Sequence, residues 1–475
     1  MSISTLPLVS IAAYDWTFCE GSPKENWQNL RRKGKDFSLD ACINLDDLCT
    51  QEAIAHKSEG VLYATIKVEQ ETNAILGMGC NWYFEAYCGG KLLKSTWETG
   101  NGSDYIFPAN HRINFVVSPG EHLLAIRVKR GDNSWHFACG YCSVEAPPEP
   151  EIAQGPWLSN PDIGLMTVNF TCKTKLGCAV QYRTSANEDW QIIWDQRQGQ
   201  CLQRDFHAIK LKNLLPGQRY EYQIIAIHPD KYIQVPISEI ISFKAPDDKS
   251  SEYSFFFTAD LQFPLNKQKK ILNKLLQAAD AKSCDFFVFA GDINSTFMPM
   301  EVISGPFAQL KKYGSSSKAV VYVRGNHEMR GDFSDNFLDY FATNEGTTYD
   351  LLRFGDTAFL ILDAWEDKPA KTPGHTYCQW NLDQVFYEQE SAWLDKAMQD
   401  EKWLSAKRRI VFCHGAPYSH SDRYKSINTF LQDLTDNYFA GNNPAHKINL
   451  WLTGHVHNYM RSIPGSDEIA SPSLP

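Results

Sequence analysis

No uninterrupted apolar run in the 475 residues approaches the roughly 20 needed to cross a bilayer as a helix, so no segment is expected to span a membrane. Basic charge is scarce as well. Lys and Arg number 46 against 56 Asp and Glu, a formal net charge of -10. That balance argues against a nucleic-acid partner, because neutralising a phosphate backbone needs a basic face. An anionic substrate must instead be held by a local positive centre. Several catalytic signatures are missing: no GxSxG nucleophile elbow, no GxxxxGK[ST] phosphate loop and no HExxH zinc helix, since His327-Glu328 is followed by Met-Arg-Gly. Internal repeats and low-complexity tracts are absent too. The first sixteen residues have a short apolar stretch but no basic n-region and a weak cleavage pattern, a poor secretory signal that favours a cytoplasmic over a secreted protein.

What is present fits a large folded chain. Apolar residues make up 43% and charged residues 21%, ordinary globular proportions that leave little room for extended disorder. The length calls for several domains, and three are expected. Thirteen cysteines is an odd number, scattered along the chain with three beyond residue 250, which suits reduced thiols better than a disulfide framework. Cys139-Gly-Tyr-Cys142 has the CxxC form but no second pair at zinc spacing.

Two breaks divide the sequence. Ala146-Pro-Pro-Glu-Pro150 carries three prolines in five residues and reads as a stiff linker; Ala245 to Ser251 is polar and turn-forming. Before the first break, Val61–Val68, Trp82–Tyr87 and His122–Lys129 are strand-like, with Gly89-Gly90 as a tight turn, so residues 1–148 are expected to form a β-sandwich. Trp82, Trp97 and Trp135 are candidates for a glycan-stacking platform there, although tryptophans in a small sandwich are more often core. Residues 149–247 again read as all-β. Leu214-Leu-Pro-Gly-Gln-Arg-Tyr-Glu-Tyr222 places a Pro-Gly turn ahead of a strand with an early tyrosine, which can bend back to hydrogen-bond the corner.

Residues 248–475 carry the chemistry. Five apolar runs each stop in metal-capable residues: Ser254–Phe257 before Asp260 and Gln262, Phe286–Phe289 before Asp292 and Asn294, Val320–Val323 before Asn326, His327 and Glu328, Ile410–Phe412 before His414, and Ile448–Leu452 before His455 and His457. Helical stripes intervene at Lys267–Ala279 and Glu388–Met398. Alternating strand and helix argues for an α/β domain with its ligands at the carboxyl ends of the strands. One histidine after a strand is usually a core or capping residue; five such strand ends are hard to ascribe to chance. Two cations roughly 3.5–4 Å apart need a bridging carboxylate to offset their repulsion, with outer ligands mixing imidazole and oxygen. Asp292 suits the bridge, with Gly291 and Gly325 letting the backbone turn.

These motifs resemble the calcineurin-like metallophosphoesterase superfamily, nearest to its purple acid phosphatase branch. Gly325 to Gly331 and Glu366-Asp-Lys368 look more like its bacterial relatives. The segment Gly155 to Phe170 resembles the fibronectin-III-like domain that precedes the catalytic domain in purple acid phosphatases, and Gly79–Lys91 with Leu123–Arg130 resembles galactose-binding-like jelly rolls attached to hydrolases. The implied architecture is multidomain: two N-terminal all-β sandwiches, 1–148 and 149–247, then an α/β (α-β-β-α sandwich) metallophosphoesterase domain at 248–475. The resemblance implies two metal ions, manganese, iron or zinc, one on Asp260, Gln262, Asp292 and His457, the other on Asp292, Asn326, His414 and His455. It further implies that His327 protonates the leaving oxygen, that Glu328 orients the ligands, and that Arg330 is a candidate phosphate fork or else a surface residue. The reaction implied is hydrolysis of a phosphate ester, monoester preferred over diester, on a phosphorylated small molecule.

Three departures from the family pattern stand out. Gln262 replaces the more usual His, although Asp-x-Gln openings occur in the superfamily. Ser295 stands where purple enzymes have a tyrosine ligand, so a colourless protein is expected. The chain stops soon after His457 where relatives continue with further strands, the pattern of a truncated catalytic domain. The competing view is a surface or carbohydrate-binding protein whose phosphoesterase fold is idle. Asn101, Asn169 and Asn294 each begin a glycosylation sequon.

Overall fold

The protein is described by a computed structural model covering residues 16–20, 35–37, 43–47, 59–140 (without 104, 108–109 and 132–133), 149–367 (without 230–232), 382–417 and 425–457 (without 441–442). The first fifteen residues, Cys142, most of the Pro-rich linker and Lys368 lie outside the described residues. The chain divides into two compact units, Met1–Pro147 and Pro148–Pro475.

In the first unit, strands Glu59–Val68 and Gly120–Lys129 pair antiparallel from Glu59↔Lys129 to Val68↔Gly120. They form the middle of a six-stranded sheet; Thr72–Cys80 and His111–Val117 belong to a second, four-stranded sheet. Alternate residues of both sheets meet in one core: Leu62, Ala64, Phe84 and Ile126 from the larger, Leu76, Met78, Ile113 and Phe137 from the smaller. Gly89 and Gly90 both take positive φ at the turn after Tyr83–Cys88. Of the three tryptophans, Trp135 lies in this core, and Trp97 lies under the Arg127 guanidinium, 4.2 Å from its ring centre. Trp82 alone among them is exposed, at 37%, so the trio does not make one open stacking surface. The Asn101 side chain is buried, accepting from Cys80 N and donating to the Ser103 carbonyl, which seals that sequon against modification in the folded unit. Asn169, in the second unit, is likewise buried and bonded to Ser159.

The second unit is built on two sheets. Strands Phe255–Thr258, Phe286–Ala290 and Ala319–Val323 run parallel, and the latter two are buried along their whole length because both faces are covered. Helix Leu265–Ala278 covers one face, setting Leu272 and Leu276 against Phe287 and Phe289. The opposite face packs on a second sheet, in the order Asp350–Phe354, Thr357–Leu362, Arg408–Cys413, Leu450–Leu452, through Val288, Val321, Phe359 and Phe412. Helix Asp383–Ala397 closes the far side with Leu394 against Leu360 and Val411. The layers thus run helix, sheet, sheet, helix.

The boundary expected near residue 247 falls inside this unit. Strand Ile152–Asp162 pairs in parallel with Ala319–Val323 through Leu158↔Ala319 and Ser159↔Val320, so the antiparallel strands of residues 152–244 continue the first sheet. The pairing covers what would otherwise be an open sheet edge. One hydrophobic cluster runs from Phe170, Tyr222 and Phe243 into Phe286, Val321 and Phe412. Polar ties reinforce it: Tyr222 Oη donates to the Ser316 carbonyl at 2.7 Å, and Lys402 meets Asp162 at 2.6 Å. At the Pro-Gly corner, Leu215 N donates to Tyr220 Oη at 2.9 Å, the bend foreseen from the tyrosine's place in the strand. Tyr220→Phe should therefore cost about 1 kcal/mol in urea unfolding. An unchanged midpoint would show that this bond does not hold the corner.

Candidate metal centre

The carboxyl ends of the five strands meet. Asp260, Asp292, His455 and His457 all have positive φ, 54 to 74°, a region that costs a non-glycine residue roughly 1–3 kcal/mol. Each follows a strand at the same edge, and the loops are laced together: Asp260 N donates to Gly291 O, Leu261 N to Asp292 O, and Gly454 N to His414 O. The His455 amide donates to both oxygens of the Asp260 carboxylate, at 3.0 and 2.9 Å. The glycines differ in purpose. Gly291 has φ +82°, and a Cβ on it would lie 2.7 Å from Gly325 Cα and from His414 Nδ1. Gly325 has no unusual φ; it is there for close approach, since a Cβ would meet Asp292 N at 2.6 Å and Glu328 Oε2 at 2.8 Å.

Asp292 is the hub and is 2% exposed. Its Oδ1 accepts from the His327 amide at 2.9 Å, while its Oδ2 accepts from Gln262 Nε2 at 2.8 Å and lies 3.2 Å from His414 Nε2. His414 is fully buried, its Nδ1 donating to the Ala290 carbonyl at 2.7 Å, which aims Nε2 at the carboxylates of Asp292 and, 4.0 Å away, Asp260. His455 Nδ1 lies 2.9 Å from Asn326 Oδ1, and one ligand atom each from Asp292, His414 and His455 falls within 4.8 Å of the others. His457 sits at the rim, 62% exposed, with Nε2 3.4 Å from Asp260 Oδ1.

The electrostatics point the same way. Burial would lower the His414 pKa, but Asp292 and Asp260 push it up to about 10. Burial would raise that of Asp292, yet His414 and His327 draw it down to about 2. Burial and then Asp292 raise that of Asp260, with the nearby histidines opposing. A buried pocket of two carboxylates thus demands positive charge, and two neutral imidazoles with an amide oxygen complete a donor set suited to a divalent cation. The residues fit a metal. Gln262 faces Asp292 through its amide nitrogen; a half-turn of the amide presents the oxygen instead.

Glu328 lies behind the centre. It is 1% exposed and accepts from the amides of Asp292, Ile293 and Gly325 and from Tyr322 Oη, at 2.8 to 2.9 Å. Arg330 is neither on the surface nor an open fork. Its Nε and Nη2 bind Glu366 at 3.0 and 2.6 Å and Nη2 also binds Asp367 at 2.5 Å, while Nη1 lies 2.8 Å from His327 Nε2. Two carboxylates in the same apolar surroundings draw in the guanidinium. Asp367 also accepts from Asn326 Nδ2 at 3.2 Å, turning the amide oxygen of Asn326 towards His455. This orienting role was missed from the sequence. Its signal was a sixth strand end: Thr357–Leu362 runs into Asp363, Glu366 and Asp367, carboxylates with no accompanying histidine. Asn294 turns away from the cluster, bonded to Gln268.

Residues 253–459 match the family model for calcineurin-like phosphoesterases, and the chain therefore carries a calcineurin-like phosphoesterase domain. The chemistry of that family is metal-dependent hydrolysis of phosphoesters. Among solved structures, a purple acid phosphatase, PPD1, from yellow lupin (Lupinus luteus) seeds is similar at 13% identity and a TM-score of 0.45, over 84% of this chain and 77% of that one. PhoD is similar at 11% identity and a TM-score of 0.42, over 65% of this chain and 73% of that one. No curated protein sequence matches the chain.

Proposed function

We propose that the protein hydrolyses phosphate monoesters on a dinuclear metal centre, with Asp260, Gln262, Asp292 and His457 holding one ion and Asp292, Asn326, His414 and His455 the other. The observation that carries this is Asp292: a buried carboxylate within reach of ligand side chains from both sets. When bound, the metals would supply Lewis-acid neutralisation of the phosphate oxygens and lower the pKa of the attacking water. The chain's own residues do the rest. Glu328 fixes the backbone of Asp292 and Gly325, and Asp367 holds Asn326 in its rotamer. His327 Nδ1 donates to the Ser295 carbonyl at 2.6 Å and Nε2, at the partly open side of the cluster, accepts from Arg330 Nη1 at 2.8 Å, so Nε2 is the atom that would carry a proton to the leaving oxygen once that contact is released. Burial and Arg330 hold the His327 pKa below its ordinary value, against Asp292 and Ser295. A substrate phosphate that competes for Arg330 Nη1 would free Nε2 to take up and deliver that proton.

His327→Ala should keep its metal and lose about 10²–10⁴-fold in turnover of an alkyl phosphate, with a much smaller loss for a nitrophenyl ester that needs no acid. Full rate on the alkyl ester would remove His327 from the mechanism. Assays of matched aryl monoester and diester with added manganese, zinc or iron test the substrate class. Faster monoester hydrolysis is expected, and a diester preference would reverse that part of the reading.

A further inference from the structure

We propose that the β region ahead of the phosphoesterase domain holds a separate thiolate site for a soft divalent cation of the zinc type, on Cys172, Cys178 and His207. One ligand atom from each lies within 4.8 Å of the others, and all three residues are buried, at 4%, 0% and 0% exposure. The two sulfurs are 3.8 Å apart. With zinc–sulfur bonds of about 2.3 Å, two thiolates of a tetrahedral site are separated by about 3.8 Å.

The backbone goes out of its way to make this contact. Both cysteines belong to one strand, Leu165–Arg183, where six residues of regular strand would hold them about 20 Å apart. Instead the register with strand Gln203–Lys212 breaks between Thr171 and Leu176, and the irregular stretch folds Cys172 back to Cys178. His207 enters from that neighbouring strand opposite Phe170, whose ring stacks on the imidazole with centroids 4.9 Å apart.

Around the three lies an orienting shell. His207 Nδ1 donates to Asp195 Oδ2 at 2.7 Å, and Arg204 locks that carboxylate with two bonds of 2.6 and 2.7 Å. A carboxylate behind an imidazole is the usual device for fixing the tautomer and basicity of a metal-binding histidine. Nε2 is then the nitrogen that binds, releasing to solvent the proton it donates to the Arg204 carbonyl at 2.9 Å and taking a metal bond in its place. Cys201, half-buried, supplies a third thiol at the edge of the cluster: a Cβ on Gly177, beside Cys178, would come within 2.9 Å of its sulfur.

The test uses the full-length chain, stripped by chelator under reducing conditions and titrated with cobalt(II). Wild type should develop the near-ultraviolet thiolate-to-cobalt charge-transfer band, and so should Asp292→Asn, which leaves these sulfurs untouched. The Cys172→Ser, Cys178→Ser double variant should lose the band, and its zinc content should fall by about one equivalent per chain. If the double variant does not fold, chelator-dependent alkylation of wild type decides: Cys172 and Cys178 should resist iodoacetamide with zinc present and react once it is removed. Absence of the band in reduced wild type, its persistence in the double variant, alkylation unaffected by chelator, or a Cys172–Cys178 disulfide in the protein as isolated would each overturn the proposal.

Discussion

Asp292→Asn should lose bound metal and phosphatase activity together, with activity falling by well over the ~100-fold that even outer partners of metal ligands can cost. The substitution keeps the shape of the side chain, so circular dichroism should be unchanged. What it removes is the charge. A neutral amide cannot supply the negative charge that a divalent cation needs, and in place of one carboxylate oxygen it sets an NH₂ group among residues that are themselves donors, the His327 amide and Gln262 Nε2. Metal content and aryl phosphate turnover, measured on one preparation, check this directly. Full metal with full activity in the variant would mean that Asp292 is structural.

The second large effect is on stability. Glu328→Ala should destabilise the phosphoesterase half by about 3 kcal/mol or more in chemical denaturation. Four buried donors lose their acceptor at once, the amides of Asp292, Ile293 and Gly325 and the Tyr322 hydroxyl, and each unsatisfied group costs roughly 1–3 kcal/mol. Solvent entering the space would recover part of that. Glu328→Gln, which keeps an acceptor oxygen, should lose distinctly less. If Glu328→Ala came within 1 kcal/mol of wild type, the side chain would not be the clamp described.

Both effects trace back to residues visible in the sequence, for a physical reason. A strand buried on both faces, as Phe286–Ala290 and Ala319–Val323 are, is apolar along its length and its end is marked by the first polar residues; Asp260, Asp292, Asn326, His414 and His455 each stand just past an apolar run. Helices betray themselves by period, as in Leu265–Ala278. What could not be read is what depends on partners distant in the chain. Nothing near Arg330 announces that Glu366 and Asp367 will bury it, because the ion pair is made by two loops brought side by side only in the fold. Nor does the sequence of residues 149–247, which reads as an ordinary set of antiparallel strands, disclose that Leu158 and Ser159 will pair with Ala319 and Val320. A parallel edge pairing leaves no local pattern. The approach of Cys172 to Cys178 was hidden in the same way, inside an irregularity of one long strand.

The convergence of the five strand ends on a metal centre is most directly tested by anomalous diffraction from crystals of the full chain grown with manganese. Strong anomalous peaks should lie between Asp292, His414 and His455 and on the Asp260 side of Asp292. Manganese scattering confined to other parts of the molecule, with these side chains bonded only to one another, would contradict it.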